Sequence, residues 1–245
     1  MFNFFVENKN ANGEFVIENK DFNHLKNVLR FKVGERFLVS HNGCSHLCEL
    51  ACYLEDCAYA KIIEENYNDT TLPISLYLFQ GLIKGDKMDF VVQKAVELGA
   101  DCIVPVEMAR SIVKLDGKKK IERQKRLQAV CESAAKQSKR NAIPTVYEVL
   151  SFANALDLAK SMDVFIIPYE SHEGMTSTVN ALQKIKAGDK VGILIGPEGG
   201  FEEKEVQKAI EQGGISISLG KRILRAETAS LTALSMCMLY AESKL

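Results

Sequence analysis

Residues 191–229 pass twice through the same succession of apolar segment, glycine-bearing loop and helix-like segment. The apolar run Val191 to Ile195 stops at Gly196-Pro197-Glu198-Gly199-Gly200. A second, Ile215 to Leu219, stops at Gly220-Lys221-Arg222. A short apolar run bounded by turn residues suits a strand buried on both faces, the condition of strands in a parallel sheet sandwiched by helices. In open α/β sheets ligands bind beyond the carboxyl ends of the strands. The two loops therefore mark a candidate site.

The same rhythm runs back to Pro73. Ile74 to Phe79 is strand-like. Asp86 to Leu98 is helical, with Asp86 placed as N-cap, Gly99 as C-cap, and Met88, Val91, Val92 and Ala95 on one face. Cys102 to Val106 and Val164 to Ile167 read as strands. Ile121 to Gln137, Ser177 to Ile185, Glu202 to Gln212 and Glu227 to Glu242 read as helices. The alternation predicts a mostly parallel sheet covered on both faces.

The first 70 residues follow a different pattern. Short alternating runs (Phe15 to Ile17, Arg36 to Val39, Leu47 to Leu54, Ala58 to Ile63) are separated by the turn signals Asn12-Gly13, Val33-Gly34-Glu35 and His41-Asn42-Gly43, which suggests a small β-barrel. Asp21 to Arg30 interrupts this with helical spacing, and Asn66 to Pro73 reads as a linker.

At 245 residues, 47% hydrophobic and 26% charged, the chain can bury one large core or two smaller ones. No apolar stretch approaches the roughly 20 residues that span a bilayer. The segment Met1 to Glu7 lacks the basic n-region and the cleavage signature of a signal peptide, so a cytoplasmic location is expected. Of seven cysteines, Cys44, Cys48, Cys52 and Cys57 lie close together, but no CxxC pair is present. Cys48, Leu50, Cys52 and Leu54 alternate as the inner face of a strand would. Buried reduced thiols are thus expected rather than a metal site.

Charge is unevenly spread. Residues 110–140 hold eleven Lys or Arg against three acids, a local +8 in a chain whose total is −1. That concentration suits a polyanion partner, and a solvated helix face accounts for part of it. Gly196 to Gly200 opens a helix with Glu202 and Glu203 in its first turn, which complements the helix dipole and would repel phosphate. Neither GxGxxG nor GK[ST] occurs. A neutral or cationic ligand fits this loop better, with a ligand-free turn as the alternative. Arg225 in the second loop is placed to stabilise negative charge or to pair with Glu227 or Glu198. The four histidines (His24, His41, His46, His172) form no HExxH, and no GxSxG occurs, which disfavours zinc hydrolysis and serine chemistry.

GPEGGFEEKE together with LGKRILRAETA resembles the SPOUT superfamily of S-adenosylmethionine-dependent RNA methyltransferases. More closely, the chain resembles the RsmE family, which methylates N3 of a uridine in bacterial 16S (small-subunit) ribosomal RNA. Further matching blocks follow in order: His24 to Arg30 with Val33-Gly34-Glu35, Lys84 to Met88 with Gln93 to Gly99, Arg110 to Lys114, and Gln137-Ser138 through Arg140 to Pro144. Lys139 departs from the pattern, since the family usually has Gly there. The resemblance implies an α/β fold with a SPOUT-type knotted parallel-sheet methyltransferase domain over residues 74–245. A small N-terminal PUA-like β-barrel would occupy residues 1–69. It further implies a homodimer, with no metal and no membrane association.

The cofactor implied is S-adenosyl-L-methionine, held by Ile167, Pro168, Ile195, Gly196, Pro197, Glu198, Gly199, Gly200, Leu219, Gly220, Ile223, Leu224, Arg225, Thr228 and Ala229. Arg225 is assigned the electrostatic role and Glu198 that of proton acceptor. RNA would be met by His24, Arg30, Arg110, Lys114, Arg123, Arg126 and the partner subunit's Arg140, with Lys118, Lys119, Lys120 and Lys125 along the basic helix. A small barrel with a basic face points to shape recognition on an assembled or nearly assembled subunit. A SPOUT enzyme acting on transfer RNA, or a non-catalytic RNA-binding assembly factor, are the alternatives.

Overall fold

The computed structural model describes residues 1–169 and 174–245 and divides into two compact units. His172 lies outside the described residues. Residues 1–71 and 135–143 form the first unit, and residues 72–134 and 144–245 the second.

The first unit contains β1 (Asn3–Phe5), β2 (Phe15–Glu18), α1 (Asn19–Asn23), β3 (Arg36–His41), β4 (Cys44–Tyr53) and β5 (Cys57–Glu64). Its five strands follow the order β1-β3-β4-β5-β2, with only the β1–β3 pair parallel. Alternation places Phe4, Phe15, Ile17, Phe37, Val39, Cys48 and Leu50 in one core with Leu25. Burial pushes the Cys48 thiol up to about 12, so it stays a protonated core side chain. The expected alternation ends early. A register irregularity between Leu50 and Cys52 leaves Cys52 half-buried, and Leu54 lies beyond the end of β4, exposed. The expected helix from Asp21 is only α1, followed by a π-helical turn, His24–Val28.

The second unit runs β6 (Ser75–Gly81), α2 (Lys87–Glu97), β7 (Cys102–Glu107), α3 (Gly117–Ser138, its last turn grouped with the first unit), β8 (Thr145–Val146), β9 (Leu150–Ser151) and α4 (Phe152–Ala159). It continues with β10 (Val164–Pro168), α5 (Met175–Leu182), β11 (Lys190–Ile195), α6 (Glu203–Glu211), β12 (Ile215–Ile217) and α7 (Ala226–Lys244). The sheet order is β12-β10-β11-β6-β7-β8, with β9 also on β7, and every pair is parallel. Phe79, Phe165, Ile167 and Leu194 face a cluster containing Ala155 and Leu156 of α4 and Ala209 of α6. The Phe79 and Phe165 rings meet edge-on at 5.5 Å across Gly192, where a Cβ would come within 2.9 Å of Phe165. The pleat turns Leu78, Gln80 and Ile193 to the opposite face, where Gln80 Oε1 lies 2.5 Å from Ser230 Oγ of α7.

Sequence spacing did not reveal α4 or the two-residue strands β8 and β9. Asp86 is the N-cap of α2 as expected, its carbonyl accepting from Phe90 N–H at 3.0 Å, but its side chain makes no cap bond, and its carboxylate pairs with Arg126 at 3.1 Å. Gly99, at φ 94, caps the other end as expected, with Ala100 N–H donating to Ala95 O at 2.9 Å.

Lys139 follows α3 at φ 58, and Arg140 N–H donates to Ala135 O at 2.9 Å, the hydrogen bond of a Schellman cap. The left-handed region costs an L-residue about 1–2 kcal/mol and glycine almost nothing, which accounts physically for a glycine preference here. Lys139→Gly should stabilise the protein by about 1 kcal/mol, a rise of about 2–4 °C in Tm for a chain of this size, measured by calorimetry.

Candidate active site

Because the sheet is all-parallel, the strand ends at Gly81, Glu107, Pro168, Ile195 and Ile217 lie along one edge. β6 and β10 flank β11, and β12 pairs with the far side of β10. The expected cofactor residues therefore gather there. Ile167 and Pro168 end β10, Ile195 ends β11, and Gly196 to Gly200 form the loop into α6. Leu219 to Leu224 form the loop after β12, Arg225 is the N-cap of α7, and Thr228 and Ala229 lie in its first turn. Arg225 N-caps through its backbone, its carbonyl accepting from Ala229 N–H at 2.8 Å, and its side chain is exposed.

The first loop is fixed from three directions. Gly81 lies against it so closely that a Cβ would fall 2.6 Å from Pro197 N. Glu198 Oε1 accepts from Lys84 N–H at 2.9 Å, joining the loop after β6. A Cβ on Gly199 would come within 2.9 Å of Arg110 Cβ, and the Arg110 guanidinium donates to Gly199 O at 3.3 Å. Glu205 adds a brace from α6. Its buried carboxylate accepts from Ala109 N–H and Glu202 N–H, both at 2.9 Å. Bonds of this kind, from backbone donors to an ionised acceptor, are the stronger hydrogen bonds. The Glu202–Glu205 spacing was a legible capping signal; the reach of Glu205 to Ala109 was not.

The second loop turns off the sheet sooner than expected. β12 stops at Ile217 because Thr178 Oγ1 donates to Ser218 O at 2.5 Å and Gly220 N–H donates to Ser218 Oγ at 3.2 Å. Gly220 takes φ 105, and Ile223 is wholly exposed. Behind this loop Lys87 Nζ lies 3.5 Å from Glu227 Oε1, while Glu227 Oε2 is buried with no hydrogen-bond donor. Glu227 was named in sequence only as a partner for Arg225. Its inner oxygen is an acceptor of the kind a hydroxyl-, amine- or cation-bearing ligand would satisfy. A depression of about 420 Å³ lined by Asp163, Lys184, Lys186 and Asp189 lies at the other edge, where β10, β11 and β12 begin, away from these loops.

The expected RNA residues divide between the units. Arg110 and Lys114 follow β7 at the loop-bearing edge, and Lys114 Nζ donates to Met108 O at 3.4 Å. Arg123 is half-buried, with one guanidinium nitrogen buried and unpartnered. Arg126 is engaged within the chain by Asp89 and Asp86, which hold its pKa above the usual arginine value. Its charge is therefore largely neutralised before any phosphate arrives. His24 and Arg30 lie in the first unit, as does Arg140. Arg140 is only 6% exposed, and its carbonyl accepts from Asn3 Nδ2 at 3.2 Å. The exposed cation of that turn is Lys139. Among the described residues no group of three or more His, Cys, Asp or Glu is arranged to hold a metal ion. No described helix is long and apolar enough to cross a membrane.

Residues 70–238 match a family model described as an RNA methyltransferase domain, and residues 17–51 one described as an RNA methyltransferase PUA domain. A Bacillus subtilis ribosomal RNA small subunit methyltransferase E is 39% identical over 225 residues, covering 90% of this chain and 88% of the relative. The chain belongs to that family. The resemblance found in the motifs is thereby borne out. A solved ribosomal RNA small subunit methyltransferase E from Neisseria gonorrhoeae, described as bound to S-adenosyl methionine, superposes with a TM-score of 0.83. It is 32% identical, and the match covers 100% of both chains. A putative methyltransferase from Legionella pneumophila in complex with the same cofactor gives 0.80 at 25% identity, covering 97% of each chain.

The close approach of Gly81 to Pro197 gives a direct test. Gly81→Ala should displace the first loop, with a stability loss of about 1–3 kcal/mol read by thermal melting.

Proposed function

We propose that this family member transfers the methyl group of S-adenosylmethionine to N3 of a uridine in 16S ribosomal RNA, within an assembled or nearly assembled small subunit. The observation that carries the cofactor reading is the gathering of the β10, β11 and β12 ends at one edge, with two loops offering backbone groups and acceptors. The acidic first turn of α6 suits a sulfonium better than a phosphate. Cofactor-bound family members with the same fold support it.

S-adenosylmethionine supplies an already activated methyl when bound, so the protein's task is to place it and make the imide nitrogen nucleophilic. Uridine N3–H must lose its proton while negative charge spreads to the flanking carbonyls. The exposed Arg225 guanidinium at the head of α7 provides compensating charge. Glu198, oriented by Lys84 N–H, takes the proton directly or through water. Arg30, Arg110, Lys114, Lys118, Lys119, Lys120 and Arg123 meet RNA phosphates.

A homodimer is part of the proposal. Along α7, Leu239 is 65% exposed and Met238 and Tyr240 are half-buried, an apolar surface a second copy can cover. The family's knot is also part of it. After β12, outside β10, the chain returns as α7 onto β6 and β11, and this return crosses the strand ends where a knot would close. The proposed domains are residues 1–69 and 74–245, and the proposed location is the cytoplasm.

Mass mapping of modified nucleosides should show 3-methyluridine in 16S RNA from cells carrying the gene and unmodified uridine at that site in cells without it. Methylation of transfer RNA instead of purified small subunits would overturn the substrate. With subunits as substrate and saturating S-adenosylmethionine, Arg225→Ala should lower the single-turnover rate about 10²-fold. An unchanged rate would remove Arg225 from the chemistry.

A further inference from the structure

Within the first unit a chain of rings runs from the core to the surface. Phe37 is fully buried, Phe31 meets it edge-on at 5.6 Å, and Phe2 meets Phe31 at 6.0 Å. His24 meets Phe2 at 6.3 Å, again nearly perpendicular. Phe2 is nonetheless 49% exposed, and its backbone is held, since its carbonyl accepts from Leu38 N–H at 2.8 Å. A large aromatic ring is thus kept out of the core on a fixed support.

Two cations lie on chain segments tied to it through their neighbours. Arg30 immediately precedes Phe31, and Lys139 precedes Arg140, whose carbonyl accepts from Asn3, the residue after Phe2. Both are exposed, and both hold left-handed backbone, at φ 56 and φ 58. Among the described residues, the other non-glycine residues in that region are asparagines, which tolerate it. The π-helical turn His24–Val28 leads directly into Arg30, and such turns are frequent at functional sites.

An exposed ring with cations on adjoining segments fits a nucleotide whose base is free to stack and whose phosphates meet the charges. A duplex presents no free base face. We propose that Phe2, braced by His24 and Phe31 and with the exposed cations Arg30 and Lys139 on the adjoining segments, is a stacking platform for one unpaired base of the RNA substrate. The proposal rests on the RNA methyltransferase reading and adds single-strand recognition to the backbone contacts.

The test uses the full-length protein with a fluorescein-labelled single-stranded oligouridylate and a duplex RNA of equal length, titrated over a range of salt. Phe2→Ala should weaken single-strand binding about tenfold, leave duplex binding unchanged and keep the salt slope. Phe2→Tyr should restore it. Arg30→Ala and Lys139→Gly should each reduce the slope by about one. Thermal melting identifies any variant that fails to fold, and Phe2→Leu, expected to bind single strands as weakly as Phe2→Ala, carries the test if Phe2→Ala does. Wild-type affinity in Phe2→Leu would overturn the proposal by reducing the ring to an apolar contact. Equal losses for both RNAs would overturn it too. So would a loss seen only with intact subunits, which would make the occupant a ribosomal protein. Methyl transfer by the wild-type protein is measured in parallel. Its absence sinks the methyltransferase reading, whereas intact transfer with no stacking effect sinks the platform alone.

Discussion

The parallel hydrogen-bond ladder from β12 to β8 is the constraint on which the second unit depends. Parallel pairing brings Gly81, Glu107, Pro168, Ile195 and Ile217 to one edge and requires cover on both faces. One face is covered around the Phe79–Phe165 contact over Gly192, the other through Gln80 and Ser230. A slip of one residue in β11 would exchange Leu194 with Ile193 between faces and bury the wrong set. Loop placement at the candidate site follows from that register.

The loops themselves are held mainly by polar bonds. Glu198 reaches Lys84 N–H, Glu205 reaches Ala109 N–H and Glu202 N–H, and Arg110 reaches Gly199 O. The Glu198–Lys84, Glu205–Ala109 and Arg110–Gly199 bonds each join chain segments that follow different strands, or a strand and a helix. Carboxylates fixed by backbone donors do not need to reorganise when charge develops nearby, which is the physical content of a preorganised site. The same reasoning separates the cations. Arg126 is neutralised by Asp86 and Asp89, whereas Arg225, Arg30 and Lys139 remain exposed.

Strand and helix positions in the second unit were largely legible, because long apolar runs such as Val191 to Ile195 and capped amphipathic stretches such as Lys87 to Glu97 carry their period openly. What escaped was short or depended on contacts. β8 and β9 have two residues each, too few to show a period. α4, Phe152–Ala159, is a run of eight with a single polar break at Asn154 and one charge, Asp157. Asp86 caps α2 as its sequence position suggested, but through its backbone alone, because Arg126, forty residues on, takes its carboxylate.

The order of residues along the chain was sufficient to specify an α/β unit, its glycine-bearing strand ends and its family, since these depend on local periodicity and contiguous motifs. It could not show that Glu205 braces Ala109, that Glu227 carries a buried oxygen without a donor, or that Arg140 is buried while Lys139 is exposed. Those outcomes depend on which distant backbone groups converge and on how much water each side chain loses. Both quantities are fixed only when the strands have paired and the helices have packed.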